Sequence, residues 1–243
     1  MISHYRISRS IALLKWLSIP PLVLATTIIF SFQMLLLDID RVNNNLTVNY
    51  ADENSKTYHR ATVQPIVAQG DMVLIERPDS KITSNVCTIG YVDKEKRRAY
   101  LSAHCGHQGA RVKSEKRAFL GTLHRSPNKR ILDIGYIELT ERVHILPNDF
   151  ADHYPDSPKP HIGQTICQYS RNARQTGCSK IAFIDGRQIR TLTKMTSSPG
   201  DSGGPVWIPT PDGRHHIIAI HSGHNNQKHY PKPMSRSYLL EFE

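Results

Sequence analysis

The run Pro199-Gly200-Asp201-Ser202-Gly203-Gly204-Pro205 is the most informative stretch of the 243-residue chain. It places a serine inside a glycine-rich turn that directly precedes an apolar segment. Glycines let backbone N–H groups converge without side-chain obstruction, and convergent donors of this kind stabilise an oxyanion. Pro199 has no N–H, so the predicted donors are the amides of Gly200 and Ser202. Although Gly-x-Ser-x-Gly alone is compatible with an ordinary tight turn, the full run predicts that Ser202 is a nucleophile.

A general base for this serine is predicted at His104, which follows the apolar residues Ala99 to Leu101. Histidine has the pKa that proton transfer near neutrality requires. Any one of the thirteen histidines is most often a surface residue. His104 stands out because the adjacent Cys105 is able to anchor its turn covalently to Cys87.

Asp133 is the predicted orienter of that base. It lies within the apolar segment from Ile131 to Ile137, and a carboxylate is costly to bury unless it is hydrogen-bonded or paired. An outward-facing strand residue is the alternative interpretation. With His104 upstream and Ser202 downstream, we expect Asp133 to hold the imidazole in one tautomer.

From residue 66 onward the chain consists of short apolar runs separated by Gly, Asp and Pro at intervals of roughly 8 to 15 residues, which is typical of an all-β sandwich or barrel. The segment 148–161 carries Pro155, Pro158 and Pro160 and divides this region into two halves. The prediction is therefore one domain over 66–243, with lobes at about 66–150 and 160–243.

The N-terminal part of the chain has a different texture. Residues 1–15 are basic, and residues 16–37 form an uncharged run of 22 residues, which is enough to span a bilayer. Asp38 and Asp40 follow, so the charge asymmetry favours a cytoplasmic N-terminus. We expect an uncleaved signal anchor, with a cleaved signal peptide as the alternative. Residues 38–65 are polar and indicate a stalk or pro-segment, so the folded domain is expected outside the cytoplasmic membrane or, after cleavage, secreted.

The four cysteines Cys87, Cys105, Cys167 and Cys178 agree with that location, because an even count beyond a membrane segment indicates disulfides. Sequence alone allows three pairings. Zinc is improbable because no pair has Cys-x-x-Cys spacing.

The formal charge of +10 admits an anionic partner. However, the chain has no Lys/Arg block with interleaved aromatics and no familiar nucleic-acid module, so no nucleic-acid partner is predicted. Metal binding is an alternative function for one group of histidines near the C-terminus. However, His-x-x-His without a carboxylate is a weak signal, so no metal and no cofactor is predicted. The group comprises His215, His216, His221, His224 and His229.

The order His104, Asp133, Ser202, with Ala-His-Cys and Gly-Asp-Ser-Gly-Gly-Pro around the first and last, resembles the chymotrypsin-like (trypsin-like) serine peptidases. The texture is closest to the bacterial secreted branch, and the resemblance covers roughly residue 66 to the C-terminus. It implies two Greek-key antiparallel β-barrels with the active site between them, after the N-terminal transmembrane helix. It also implies His104 as base, Asp133 as orienter, Ser202 as nucleophile, and a disulfide between Cys87 and Cys105.

The segment from Cys167 to Cys178 resembles the short disulfide loop of the bacterial branch, with one departure. That branch usually carries Arg after the first cysteine, where this chain has Gln168. That arginine pairs with the aspartate before the nucleophile, so the expected partners of Asp201 become Arg171 and Arg174. The chain contains no Arg-Ile-Val-Gly-Gly activation sequence.

The resemblance also points to a specificity pocket made of Thr196, Ser197, His221, Ser222 and His224. Animal trypsins carry Asp where this chain has Thr196, so specificity for basic residues is not expected. Ser222 is expected to hold the substrate backbone, and His221 occupies the position of a histidine in glutamate-specific members. With Ser197 or Thr196 it is predicted to bind an acidic P1 side chain. The alternative is a neutral, satisfied His221 packed behind the pocket.

The sequence therefore predicts a serine endopeptidase without cofactor, acting on protein or peptide substrates through an acyl-enzyme. The alternative function is that of a catalytically inactive protease fold that serves as a binding module at the cell surface.

Overall fold

The computed structural model describes residues 47–51, 58–62, 64–126, 132–225 and 234–242. The chain divides into two compact units, Met1–Arg60 and Ala61–Glu243. Strands β1 (Thr47–Ala51) and β2 (Tyr58–Thr62) form a two-stranded sheet. The predicted membrane span, residues 16–37, lies outside the described residues. Within the residues that are described, no helix is long and apolar enough to cross a bilayer.

The described residues of the first lobe form nine strands. Their order in the chain is β3 (Ile66–Val67), β4 (Met72–Arg77), β5 (Ser80–Thr88), β6 (Tyr91–Asp93), β7 (Arg98–Leu101), β8 (Arg111–Ser114), β9 (Phe119–Arg125), β10 (Gly135–Leu139) and β11 (His144–Ile145). Seven of them pair antiparallel in the order β5-β4-β8-β9-β10-β7-β6, while β3 and β11 pair in parallel. A 3-10 turn, Ala103–Cys105, follows β7.

The second lobe is a closed barrel in the order β12-β13-β14-β17-β16-β15. The strands are β12 (Thr165–Ser170), β13 (Gln175–Asp185), β14 (Gln188–Thr191), β15 (Pro205–Ile208), β16 (His216–Asn225) and β17 (Met234–Leu239). All six pairings are antiparallel. The β12–β13 hairpin is cross-linked at its Cys167–Cys178 pair.

Each lobe has its own core because alternate strand residues face inward. In β7, Ala99 and Leu101 are fully buried while their neighbours are half-buried. The first core is mainly Val, Ile and Leu from β4 to β10, and a separate cluster around Ile166, Ile181 and Ile189 fills the second barrel. Burying these apolar side chains supplies the main driving force for both lobes.

The all-β class and the closed second barrel are confirmed, whereas the predicted first barrel is seen in part, as a seven-stranded sheet whose edge strands do not pair. Its edge strands β5 and β6 are consecutive in the chain and are joined at a bend, Ile89-Gly90. The bend amides donate to other parts of the lobe, Ile89 N to Asp71 O (2.9 Å) and Gly90 N to Tyr100 O (2.9 Å). The sheet therefore closes through a covalent corner and not through a hydrogen-bonded ladder.

The segment between β11 and β12 is attached to the first lobe by the buried side chain of Gln69. Its amide nitrogen donates to Gly90 O (2.8 Å) and Ala151 O (3.0 Å). Its oxygen accepts the N–H groups of Phe150 (2.9 Å) and Ala151 (3.1 Å). Because both the nitrogen and the oxygen of the Gln69 side-chain amide are hydrogen-bonded, burying this group carries no penalty. These bonds fix the start of the segment between β11 and β12.

Gly121 provides a stability test for the first sheet. A Cβ at this position in β9 would overlap the Glu138 carbonyl of β10, which is backbone and does not move aside. We expect Gly121→Ala to lower the free energy of unfolding by about 3 kcal/mol, at the upper end of overpacking effects. Urea denaturation measures the difference. Thr122→Ala on the same strand is the control, and equal losses for the two variants would contradict the predicted clash.

Candidate functional site

Asp133 and His104 are joined at two points. His104 lies in the 3-10 turn after β7, and its backbone N–H donates to Asp133 Oδ1 (2.8 Å). Its ring Nδ1 lies 2.6 Å from Asp133 Oδ2. The first bond fixes the turn and the second fixes the ring, so Nδ1 carries the proton and Nε2 is left as the acceptor. The predicted base and orienter therefore lie together.

Ser222, which the sequence assigned to the substrate backbone, has its side chain directed at Asp133. Its hydroxyl donates to Asp133 Oδ2 (2.6 Å). Burial raises the pKa of Asp133, but hydrogen bonds from His104 and Ser222 and the charge of His104 outweigh this and leave the pKa below 3.8. Asp133 is therefore ionised at neutral pH.

The turn that carries Ser202 packs against the end of the first lobe. Thr88 N–H donates to Ser202 O (2.8 Å), and Cys105 Sγ lies 3.9 Å from the same oxygen. Gly203 has φ +93°, and a Cβ there would overlap Thr88 O. Only glycine permits this approach, which brings Ser202 next to the His104 turn. Across the described ranges, no hydrogen bond joins the Ser202 hydroxyl to His104.

The amides of Gly200 and Ser202 are unused donors. Neighbouring amides of the turn are bonded, Asp201 N–H to Ser198 O (3.1 Å) and Gly204 N–H to Asp201 O (3.0 Å). Neither Gly200 nor Ser202 N–H has an acceptor among the residues that the structure describes. An oxyanion-binding site requires free amides of this kind, one on the serine itself and one two residues before it.

Asp201 is buried, and its four hydrogen bonds all come from neutral donors. Oδ2 accepts the hydroxyl of Ser170 (2.5 Å) and the amide of Ser198 (2.7 Å). Oδ1 accepts the amides of Arg171 (3.0 Å) and Asn172 (3.5 Å). The ion pairs within the described ranges do not include Asp201.

The expected guanidinium partner of Asp201 is therefore replaced by a hydroxyl and three backbone amides. Arg171 contributes its backbone, whereas its guanidinium binds Glu115 (2.8 Å). Gln168, which stands in the place of the usual arginine, donates from its side chain to Thr196 O (2.7 Å). Gly177, which pairs with Gln168 across the β12–β13 hairpin, also lies against Thr196.

Three of the predicted pocket residues, Ser197, His221 and His224, lie together, but with a different pairing from the expected one. Ser197 Oγ lies 2.6 Å from His224 Nε2, so the hydroxyl pairs with His224 and not with His221. The two imidazole rings are 5.5 Å apart. His221 is only 3% exposed and its Nδ1 has no hydrogen-bond partner in the described structure. Thr196 is turned toward the hairpin, as its contact with Gly177 shows.

The surroundings of these histidines are cationic. Burial lowers the pKa of His221 to about 3, with further lowering from the positive charges of His224, His104, Arg236 and Lys194. Burial and Lys194 also lower the pKa of His224, against the opposing effect of Asp201. Both rings are therefore neutral at pH 7 in the absence of an added negative charge.

Sequence reasoning missed the residues that hold the Ser202 turn from outside. They include Ser170, Asn172 and Thr88, each of which contacts the turn from a distant point in the sequence. Asn172 Nδ2 donates to Pro199 O (2.5 Å), and Thr88 Oγ1 donates to Gly200 O (2.8 Å). None of them belongs to a motif with a fixed spacing, so the sequence contained no signal for them.

Other predicted features are resolved by the structure. The disulfides Cys87–Cys105 and Cys167–Cys178 are both formed, as the resemblance implied. His215 and His216 lie away from the predicted pocket. His215 Nδ1 accepts a hydrogen bond from Thr210 N–H (3.1 Å), and His216 Nδ1 contacts Ser157 Oγ (3.0 Å). Among the described residues, no cluster of three or more His, Cys, Asp or Glu side chains is arranged for a metal.

Comparison with known proteins supports the fold. No protein-family model matches the chain. Two uncharacterized proteins from two strains of Mycobacterium tuberculosis are 29% and 28% identical over 176 residues, which is 66% of this chain and 78% of theirs. A solved glutamic acid-specific serine protease, described as using a histidine triad in substrate binding, is 16% identical with a TM-score of 0.51 and covers 71% of this chain and 93% of its own.

An alpha-lytic protease homolog is also 16% identical, with a TM-score of 0.50, and covers 72% of this chain and 93% of its own. At these identities the likeness concerns the fold. The chain therefore has the fold of the bacterial chymotrypsin-like serine proteases, which is the fold that the sequence resemblance implied.

The buried His221 makes a prediction about pH. Burial lowers the pKa of His221 to about 3 in the folded chain, from 6.5 for an unperturbed histidine. Below pH 6.5 the unfolded state therefore binds a proton that the folded state does not bind. The contribution of His221 to stability is therefore lost as the pH falls from 6.5 toward 3. Replacing His221 by Leu should make the urea midpoint fall less between pH 7 and pH 4.5 than it does in the wild type. Parallel pH curves for the two proteins would contradict a neutral, buried His221.

Proposed function

We propose that this chain is a serine endopeptidase in which Ser202 is the nucleophile, His104 the general base and Asp133 the residue that orients the base. The observation that carries the proposal is the two-point attachment of Asp133 to His104, at 2.8 and 2.6 Å, beside the Ser202 turn. This arrangement supplies a base with its free nitrogen available next to a serine in a turn with two unused amides.

The proposed reaction begins when His104 Nε2 removes the Ser202 hydroxyl proton as Oγ attacks the substrate carbonyl. The amides of Gly200 and Ser202 receive the resulting oxyanion. His104 then transfers its proton to the leaving amine, which departs and leaves an acyl group on Ser202. Water, deprotonated by the same nitrogen, attacks the acyl carbon and regenerates the serine. The missing contact between Ser202 and His104 is expected to form when substrate fills the site.

An active-site probe tests the proposal directly. A fluorophosphonate probe should label the wild type covalently and leave Ser202→Ala unlabelled, because only an activated serine attacks phosphorus at a useful rate. His104→Ala should label at least about 100-fold more slowly, since a positioned base contributes that factor or more. The exposed His107→Ala, three residues away in the same loop, is the control and should label normally. An unlabelled wild type, or equal labelling of Ser202→Ala, would favour the inactive binding module instead.

The proposed specificity is for an acidic residue at P1. The pocket side chains His224 and Ser197 lie together, with Lys194 and Arg236 close enough to affect the neighbouring rings. A substrate carboxylate placed there would receive a charge-assisted hydrogen bond and would favour protonation of His224. The similar glutamic acid-specific protease is described as binding substrate with histidines. In this chain the role is assigned to His224, with His221 as its buried neighbour.

Matched substrates isolate the charge at P1. A peptide anilide with Glu at P1 should be cleaved about 10- to 100-fold faster, in kcat/KM, than the same peptide with the isosteric Gln, because a hydrogen bond to a charged group is worth about 1.5 to 3 kcal/mol. His224→Ser should reduce this ratio, and the exposed Thr165→Ala should leave it unchanged. A preference for Arg or Phe in a peptide-library digest would refute acidic specificity.

The proposed location is outside the cytoplasmic membrane. The two disulfides support an oxidising compartment. The uncharged run 16–37 is the proposed anchor, and residues 38–65 would link it to the folded domain. Probe labelling of separated membrane and soluble fractions, followed by sequencing of the labelled N-terminus, shows whether the anchor is retained.

A further inference from the structure

We propose that Asn172, at the tip of the β12–β13 hairpin, is a positioning residue that sets the direction of the Gly200 amide in the oxyanion site. The inference rests on the proposed function and extends it to a residue to which no sequence motif assigned a role. Asn172 acts through the backbone of the Ser202 turn and has no assigned contact with substrate.

The geometry begins with the peptide bond between Pro199 and Gly200. Asn172 Nδ2 donates to the carbonyl oxygen of Pro199 at 2.5 Å. The chain has no cis peptide bond among its described residues, and in a planar trans peptide the C=O and N–H point in opposite directions. Holding the carbonyl toward the hairpin therefore directs the Gly200 N–H away from it. That N–H has no acceptor in the described part of the chain, as an oxyanion donor requires.

Gly200 needs such an external restraint. Its φ is +98°, a region in which glycine moves freely and other residues are strained. The peptide preceding it can therefore rotate with little steric resistance from its own residue. Thr88 Oγ1 restrains the following peptide by donating to Gly200 O (2.8 Å). Among the described residues, the side-chain hydrogen bond to the preceding peptide comes from Asn172.

The hairpin tip that presents Asn172 is itself attached to the turn on the other side of Gly200. Ser170 Oγ donates to Asp201 Oδ2 (2.5 Å) and accepts the Ala173 N–H (3.2 Å), so its only proton is committed to Asp201. The amides of Arg171 and Asn172 bind Asp201 Oδ1. Residues 170–173, here called the hairpin clamp, thus hold both the Pro199 carbonyl and the Asp201 carboxylate.

The base of the clamp is rigid. Ser170 pairs with Gln175 across the hairpin, and the Cys167–Cys178 disulfide links the same two strands three residues further on. Because the backbone that carries Asn172 is already held in place, only the side-chain torsions of Asn172 have to be fixed when its hydrogen bond forms. This makes Asn172 suitable for fixing the direction of a peptide bond. The clamp consists of neutral donors, so its effect on the turn is not screened by salt.

Truncating Asn172 should reduce catalysis and leave substrate binding nearly intact. Loss of an oxyanion donor costs about 10²- to 10³-fold in kcat, and a donor that is only misdirected part of the time should cost about 10- to 100-fold. We therefore expect Asn172→Ala to lower kcat by that factor with KM within about threefold of the wild type. Asn172→Gln, which keeps an amide donor on a longer side chain, should recover part of the rate.

A second measurement separates positioning from a structural role. A peptide aldehyde that forms a hemiacetal oxyanion on Ser202 should lose affinity for Asn172→Ala by about the factor lost in kcat. The corresponding peptide amide, which has no oxyanion, should bind both proteins equally. Gln175→Ala, an exposed substitution at the base of the same hairpin, is the control and should match the wild type in kcat, inhibitor affinity and Tm.

The outcomes are distinguishable. If the wild type reacts with the fluorophosphonate probe and Asn172→Ala retains a wild-type kcat and aldehyde affinity, the assignment of Asn172 is wrong while the proposed function stands. An equal loss of affinity for aldehyde and amide would also overturn the assignment. An inert wild type would refute the proposed function and the inference with it.

Discussion

The close approach of the Ser202 turn to the first lobe is the constraint on which the rest of the site depends. A Cβ at Gly203 would overlap Thr88 O and would lie 2.8 Å from Leu101 Cβ, and a Cβ at Gly90 would overlap Gly203 O. Two glycines therefore face each other where the lobes meet. The bonds of this contact, including Ser102 Oγ to His221 O at 2.8 Å, form only at that separation. They place the Ser202 turn and the His104 turn next to each other, although these are carried by different sheets.

Two buried or partly buried carboxylates lie on either side of this contact, and they are stabilised in different ways. Asp133 is held by an imidazole, a backbone amide and the Ser222 hydroxyl, all of which also position the proposed base. Asp201 is held by neutral groups of the hairpin clamp. Burying a carboxylate is unfavourable unless its oxygens are satisfied, so both networks must form for the lobes to pack. Folding and assembly of the candidate site are therefore coupled.

The sequence predicted what is encoded locally. Three local segments could be recognised from a few consecutive residues each: the glycine-rich run around Ser202, the Ala-His-Cys segment and the apolar stretch around Asp133. In the structure, His104 and Asp133 lie together. Contacts that join distant segments were not predictable. The choice of His224 instead of His221 as the partner of Ser197 depends on the register of β16 with β17, which shifts between His221 and Gly223. The covalent corner at Ile89-Gly90, which joins the two edge strands of the first sheet, is likewise marked by no composition signal.

Within the described part of the chain no cation pairs with Asp201, and this also affects His224. A guanidinium paired with this carboxylate would cancel most of its field, whereas neutral donors stabilise the charge without removing it. The charge is felt at His224, whose pKa it raises against the lowering effects of burial and Lys194. The neutral clamp thus keeps His224 closer to protonation than an ion-paired Asp201 would. In the proposed pocket, the carboxylate of an acidic P1 residue would add to this field and favour protonation of His224. The presence of Gln168, where an arginine was expected to pair with Asp201, therefore links the way the Ser202 turn is held to the charge state of His224.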